Sequence, residues 1–107
     1  MERVKHLAEQ YLLSCGYQLV ANEQVQNDCI NLMGVSGEKL IAVKFILEDN
    51  ILSDQLIVNE VYELVKAAKL LNCSNILIVV DSERLLSLTE IDDKYVTPLT
   101  MEWMQVK

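Results

Sequence analysis

In Asn75-Ile76-Leu77-Ile78-Val79-Val80 five apolar residues follow Asn75 in succession, with no polar residue among them on either face. A strand with one wet face alternates apolar and polar, and a helix needs a longer span. An unbroken apolar run this short therefore predicts a strand covered above and below. The rest of the chain must then supply helices for both faces of a sheet.

Two segments have the right periodicity. Val4, Leu7, Ala8, Tyr11, Leu12 and Cys15 recur at spacings of three and four, one apolar stripe on a helix that Gly16 ends as a left-handed C′ residue. Ile57, Val61, Leu64, Val65, Ala68 and Leu71 form a second stripe, on a helix predicted to start at Ser53 or Asp54. Asp54, Glu60 and Glu63 lie early in it and Lys66 and Lys69 late, which suits the helix dipole. The branched residues of 51–58 leave a strand there as an alternative.

Between the helices, 17–21 reads as a short strand. Alternation over 28–33, turn chemistry in Gly34-Val35-Ser36-Gly37 and an apolar 39–47 together predict a hairpin over 28–47. The order is α-β-β-β-α-β, a mixed sheet with helices packed on it. Beyond Asp81, which reads as an N-cap, 82–88 fits one or two helical turns, 92–94 a loop, and Tyr95-Val96 a short edge strand. Thr97-Pro98 reads as an N-cap and N1 proline opening a final helix through Val106. The alternation of Leu99, Met101 and Trp103 fits a strand instead; the helix is slightly favoured.

The 107 residues suit one domain, 1–107, and 51% of them are hydrophobic. Nine Lys+Arg against 16 Asp+Glu leave a net charge of −7, which disfavours nucleic acid as a partner because phosphate binding relies on basic side chains. No apolar run approaches the ~20 residues that span a bilayer, so no membrane is expected. The charged start Met-Glu-Arg-Val-Lys-His argues against a signal peptide. Cys15, Cys29 and Cys73 are odd in number, form no CxxC pair and sit in apolar settings, and His6 is the only histidine. Buried thiols in an intracellular protein, cytoplasmic or nuclear, are expected rather than disulfides or a zinc site. Gly16, Gly34 and Gly37 cannot build a phosphate-cradling loop, and His6 lacks the partners of a hydrolytic triad. It reads as a surface residue of the first helix.

The succession Cys15-Gly16-Tyr17, Cys29-Ile30-Asn31-Leu32-Met33, Ile41-Ala42-Val43-Lys44, a helix holding Ala67-Ala68-Lys69-Leu70-Leu71, and Asn75–Val80 resembles the restriction-endonuclease-like (PD-(D/E)xK) fold. Within that superfamily it is most similar to Mrr-type endonucleases and Holliday-junction resolvases. The resemblance implies an Asp followed, about a dozen residues on, by Glu or Gln-x-Lys, with Mg²⁺ held by the acids and the lysine stabilising charge at the phosphate. Lys44 matches the lysine, while Ala42 stands where Glu or Gln is expected and Asn31 where Asp is expected. Asp28 is a substitute three residues away. The first-helix glutamate position holds Lys5, with Glu2 and Glu9 nearby.

Two functions follow from the resemblance. The favoured one is a non-catalytic pseudo-nuclease domain without a cofactor, acting as a protein-interaction or architectural subunit and expected as a homodimer or part of an assembly. The alternative is a small Mg²⁺-dependent DNA endonuclease or resolvase with a migrated site, in which Lys44 and Asp28 are catalytic and Asp28 and Glu9 hold the metal, with Glu48 a further candidate. Met101, Trp103 and Met104 form an apolar cluster that either closes the core or meets a partner.

Overall fold

The structure is a computed structural model that describes residues 2–21, 29–50 and 53–106. Its elements run α1 (Glu2–Ser14), β1 (Gln18–Leu19), β2 (Leu32–Ser36), β3 (Lys39–Ile46), α2 (Asp54–Leu70), β4 (Asn75–Val80), α3 (Glu83–Leu88), α4 (Asp93–Val96) and β5 (Thr100–Gln105). A 3₁₀ turn, Glu48–Asn50, precedes α2. The strands form one mixed sheet in the order β1-β2-β3-β4-β5. Pairing is antiparallel from β1 to β3 and parallel from β3 to β5.

Strand β4 is covered on both faces, as its unbroken apolar run requires. Leu77 and Val79 pack with Val4, Ala8 and Leu12 of α1, and Ile76, Ile78 and Val80 pack with Ile57, Val61, Leu64 and Val65 of α2. Strand β3 divides the same way, with Ile41, Val43 and Phe45 toward α1 and Ala42 and Ile46 toward α2. Each fully buried Leu, Ile or Val contributes about 1.5–3 kcal/mol relative to exposure. The sheet is thus the middle of three layers.

Local chemistry sets the boundaries. At the end of α1, Tyr17 N–H reaches Leu12 C=O and Gly16 N–H reaches Leu13 C=O, with Gly16 at φ +90°. This is the left-handed C-cap expected of that glycine. Ser53 caps α2 by accepting a hydrogen bond from Leu56 N–H. Asn72, at φ +59°, closes α2 as Gly16 closes α1. The strand alternative for 51–58 fails from Ser53 on, where the chain caps and enters α2; residues 51 and 52 lie outside the described part.

Several expectations are corrected. The first hairpin strand is Leu32–Ser36, with Cys29 in a turn, so the hairpin turn is Gly37-Glu38 alone. Gly34 lies inside β2, where a Cβ would meet Ile41 Cγ2 at 3.0 Å and Tyr17 Cβ at 3.1 Å. Close packing, not turn formation, explains that glycine. Tyr95-Val96 belongs to α4 rather than to an edge strand.

The C-terminal helix is also overturned: Thr100–Gln105 is a strand parallel to β4. The reason lies in β4, whose second edge would otherwise bury unpaired backbone groups. Thr97 donates its hydroxyl to Asp93 C=O instead of capping a helix, and the Thr97–Pro98 peptide bond is cis. Finally, Cys15 is exposed and Cys29 half-buried, so only Cys73 is the buried thiol expected of all three.

Candidate functional site

Lys44 follows the pleat of β3 with Ala42 and Ile46 and therefore points toward α2. It lines a cavity of about 220 Å³ together with Cys29, Leu56, Asn59, Glu60 and Glu63. The side chain is half-buried, and among the described residues it makes no hydrogen bond or ion pair. Glu60 and Glu63 stand one turn apart on α2 and are exposed. The cavity thus brings one lysine near two carboxylates that the sequence shows only as early acidic residues of a helix.

The positions implied by the resemblance do not converge there. Asn31 donates its N–H to Val43 C=O and accepts Phe45 N–H on its side-chain Oδ1 at 2.8 Å. Its amide oxygen extends the β2–β3 ladder by one bond ahead of the start of β2. Ala42 is fully buried among α2 side chains. Glu9 lies on α1, whose buried face packs on the opposite side of the sheet from Lys44. Glu2 and Lys5 lie on the same helix, and His6 is exposed there as expected. Asp28 lies outside the described residues. Mg²⁺ requires several oxygens about one point. The described residues at these positions do not fit such a site, and among the described residues no group of three His, Cys, Asp or Glu side chains could hold a metal.

Glu48 has a different role from the one considered for it. Its carboxylate accepts hydrogen bonds from Arg84 Nη2 at 2.7 Å and Ser82 Oγ at 2.8 Å, and Arg84 Nη1 reaches Asp54 Oδ1 at 2.8 Å. Asp81 accepts Glu48 N–H at 3.0 Å, while Ser82, not Asp81, caps α3. These bonds clasp the C-terminal ends of β3 and β4 to the starts of α2 and α3. Arg84 and then Ser82 hold the Glu48 carboxyl below its ordinary value. No single motif signals this clasp, since its members are far apart in the chain.

The C-terminal cluster is split by the pleat of β5. Met101 packs with the α2-side core and Met104 with the α1-side core. Trp103 is 38% exposed, and its indole N–H donates to the fully buried Thr89 hydroxyl at 2.8 Å. Met101 and Trp103 line a second cavity of about 350 Å³, shared with Ile91, Asp93, Val96 and Leu99. On the other face, Tyr11 donates its hydroxyl to Glu102 Oε2 at 3.4 Å. Hydrogen bonding with Cys15, then the Glu102 charge, push the Tyr11 phenol above its ordinary value. So the cluster both closes the core and leaves surface open.

Among the described residues β5 is the last strand of the sheet. Thr100 N–H bonds Ser74 C=O and Val106 N–H bonds Val80 C=O, so even-numbered residues face β4. The backbone groups of Met101, Trp103 and Gln105 face away from the sheet. No helix among the described residues is long and apolar enough to cross a membrane. Compared with protein-family models, curated proteins and solved structures, the chain matches none of them.

Proposed function

We propose that the chain is a non-catalytic module on a restriction-endonuclease-like plan and that it works by binding protein at the open edge of its sheet. The observation that carries this reading is the outer side of β5, where backbone donors and acceptors at Met101, Trp103 and Gln105 run beside a cavity of mixed lining, with Val96 and Leu99 beside Asp93 and Thr97. A sheet edge of this kind is completed by an added strand. The element order α-β-β-β-α-β through β4 supports the nuclease-like plan, and the backbone role of Asn31 and the burial of Ala42 support a non-catalytic one. Met101 and Trp103 belong to the binding edge, with Met104 holding its inner face to the core.

One observation favours the second reading, a Mg²⁺-dependent nuclease: Glu60 and Glu63 share a cavity with Lys44. A cleavage assay on branched, single-stranded and duplex DNA with Mg²⁺ or Mn²⁺ separates the two. We expect no cleavage by the wild-type chain or by Lys44→Ala, and no retardation of DNA in low-salt gels, consistent with the −7 charge. Cleavage that disappears in Lys44→Ala would establish the nuclease and remove the scaffold reading.

A further inference from the structure

Strand β5 offers an incoming strand different chemistry on its two faces. Its ladder with β4 is unbroken from Asn75↔Thr100 to Val80↔Gln105, and its sequence Thr-Met-Glu-Trp-Met-Gln holds no proline or lysine. Those residues and bulges are the usual devices that keep an edge from pairing. On the α2-side face, Met101 and Trp103 border the 350 Å³ cavity, whose other walls include Val96 and Leu99. The bond from Trp103 to Thr89 fixes the indole at that rim. On the α1-side face stands Glu102, its only polar contact among the described residues being the Tyr11 hydroxyl. Charge over 89–106 is one-sided, with Glu90, Asp92, Asp93 and Glu102 against Lys94 alone.

Resting on the interaction reading above, we propose that β5 takes up an extended basic segment of a partner protein. Directly opposed residues of paired strands share a face. A Lys or Arg opposite Glu102 therefore alternates with apolar, strand-forming residues opposite Met101 and Trp103, which enter the cavity. Asp93 at the cavity wall adds to the attraction for a positive segment. A second copy is disfavoured by the same charges. Antiparallel self-pairing through the outward groups centres on Glu102, which sets two carboxylates together, or on Met101 or Trp103, which leaves each Glu102 without a cation. Two chains of charge −7 also repel.

Trp103 is the only tryptophan, so its fluorescence reports on this edge. The test titrates the chain with a short acetylated peptide alternating lysine and valine, and with the same peptide carrying glutamate for lysine. We expect saturable binding of the lysine peptide only, weakened about tenfold between roughly 0.05 and 0.5 M salt. Glu102→Lys should reverse the preference between the peptides. Gln105→Pro, which removes an outward N–H, should abolish binding with the circular dichroism of the fold retained. Equal binding of both peptides, or no reversal in Glu102→Lys, overturns the basic-segment proposal. A dimer in sedimentation that Gln105→Pro dissociates, with no peptide binding, overturns it as well but leaves the edge as an interaction site. The absence of both peptide binding and dimerisation would remove the edge reading itself.

Discussion

Asn31 stands where the resemblance expects an aspartate, and in the fold its side chain serves the backbone. Its position in Ile30-Asn31-Leu32 reads as a metal-binding aspartate replaced by its amide, yet the Oδ1 atom accepts the backbone N–H of Phe45. An aspartate would accept that bond too, so the backbone role does not by itself require an amide. We expect Asn31→Asp to keep the fold with little loss, and Asn31→Leu to cost about 1 kcal/mol in urea unfolding, the usual net value of one hydrogen bond. Equal losses in the two variants would show that packing, not the accepted bond, sets the effect. Nothing local in the sequence reveals this bond, because it depends on the register of β2 against β3. The same holds for Lys44: its strand and its face are legible from the Ile-Ala-Val-Lys alternation, but the approach of Glu60 and Glu63 depends on how α2 crosses β3.

At the scale of elements, the segments with strong periodicity were legible and those governed by neighbours were not. The stripes of α1 and α2, the Ser53 cap, the Gly16 stop and the apolar β4 are local signals, and each is where the spacing puts it. The β5 segment follows Pro98 and has an ambiguous alternation, and what decides it is the second edge of β4, which β5 pairs. The clasp of Glu48, Ser82, Arg84 and Asp54 is another product of neighbours. Arg84 and Ser82 stabilise the charged form of Glu48 in the folded chain, so its carboxyl titrates below the ordinary value of 4.5. A depressed folded-state value means that the clasp adds stability above the unfolded-state value. That stability is lost as pH falls through the lower, folded-state one. Both partners are partly exposed, so salt screens the effect. Arg84→Ala should therefore lower the midpoint of thermal unfolding near pH 7, with the gap to wild type closing below about pH 4 and narrowing in high salt. A gap that is unchanged down to acid pH would assign the loss to packing of the arginine stem instead.

Across the whole molecule, the sheet is graded from a sealed centre to an open rim, and the grading is what joins fold to proposed function. Strand β4 has a neighbour on each side and a helix layer on each face, with Ile76 through Val80 fully buried. Strand β5 has the same parallel register but, among the described residues, one neighbour, so its amides divide by parity. Those of Glu102, Met104 and Val106 point to β4, and those of Met101, Trp103 and Gln105 point outward. Hydrogen exchange resolved by residue should therefore find the slowest amides in β4, exchanging only with global opening. Along β5 it should find alternation, slow at 102, 104 and 106 and fast at 101, 103 and 105. Uniform protection along β5 in the isolated chain would mean that its outer side is already paired, and concentration dependence of that protection would name a second copy as the occupant. Addition of a binding strand should slow the three odd-numbered amides selectively. Only new bonds to the outward N–H groups do this, because general stiffening of the sheet would slow both parities together.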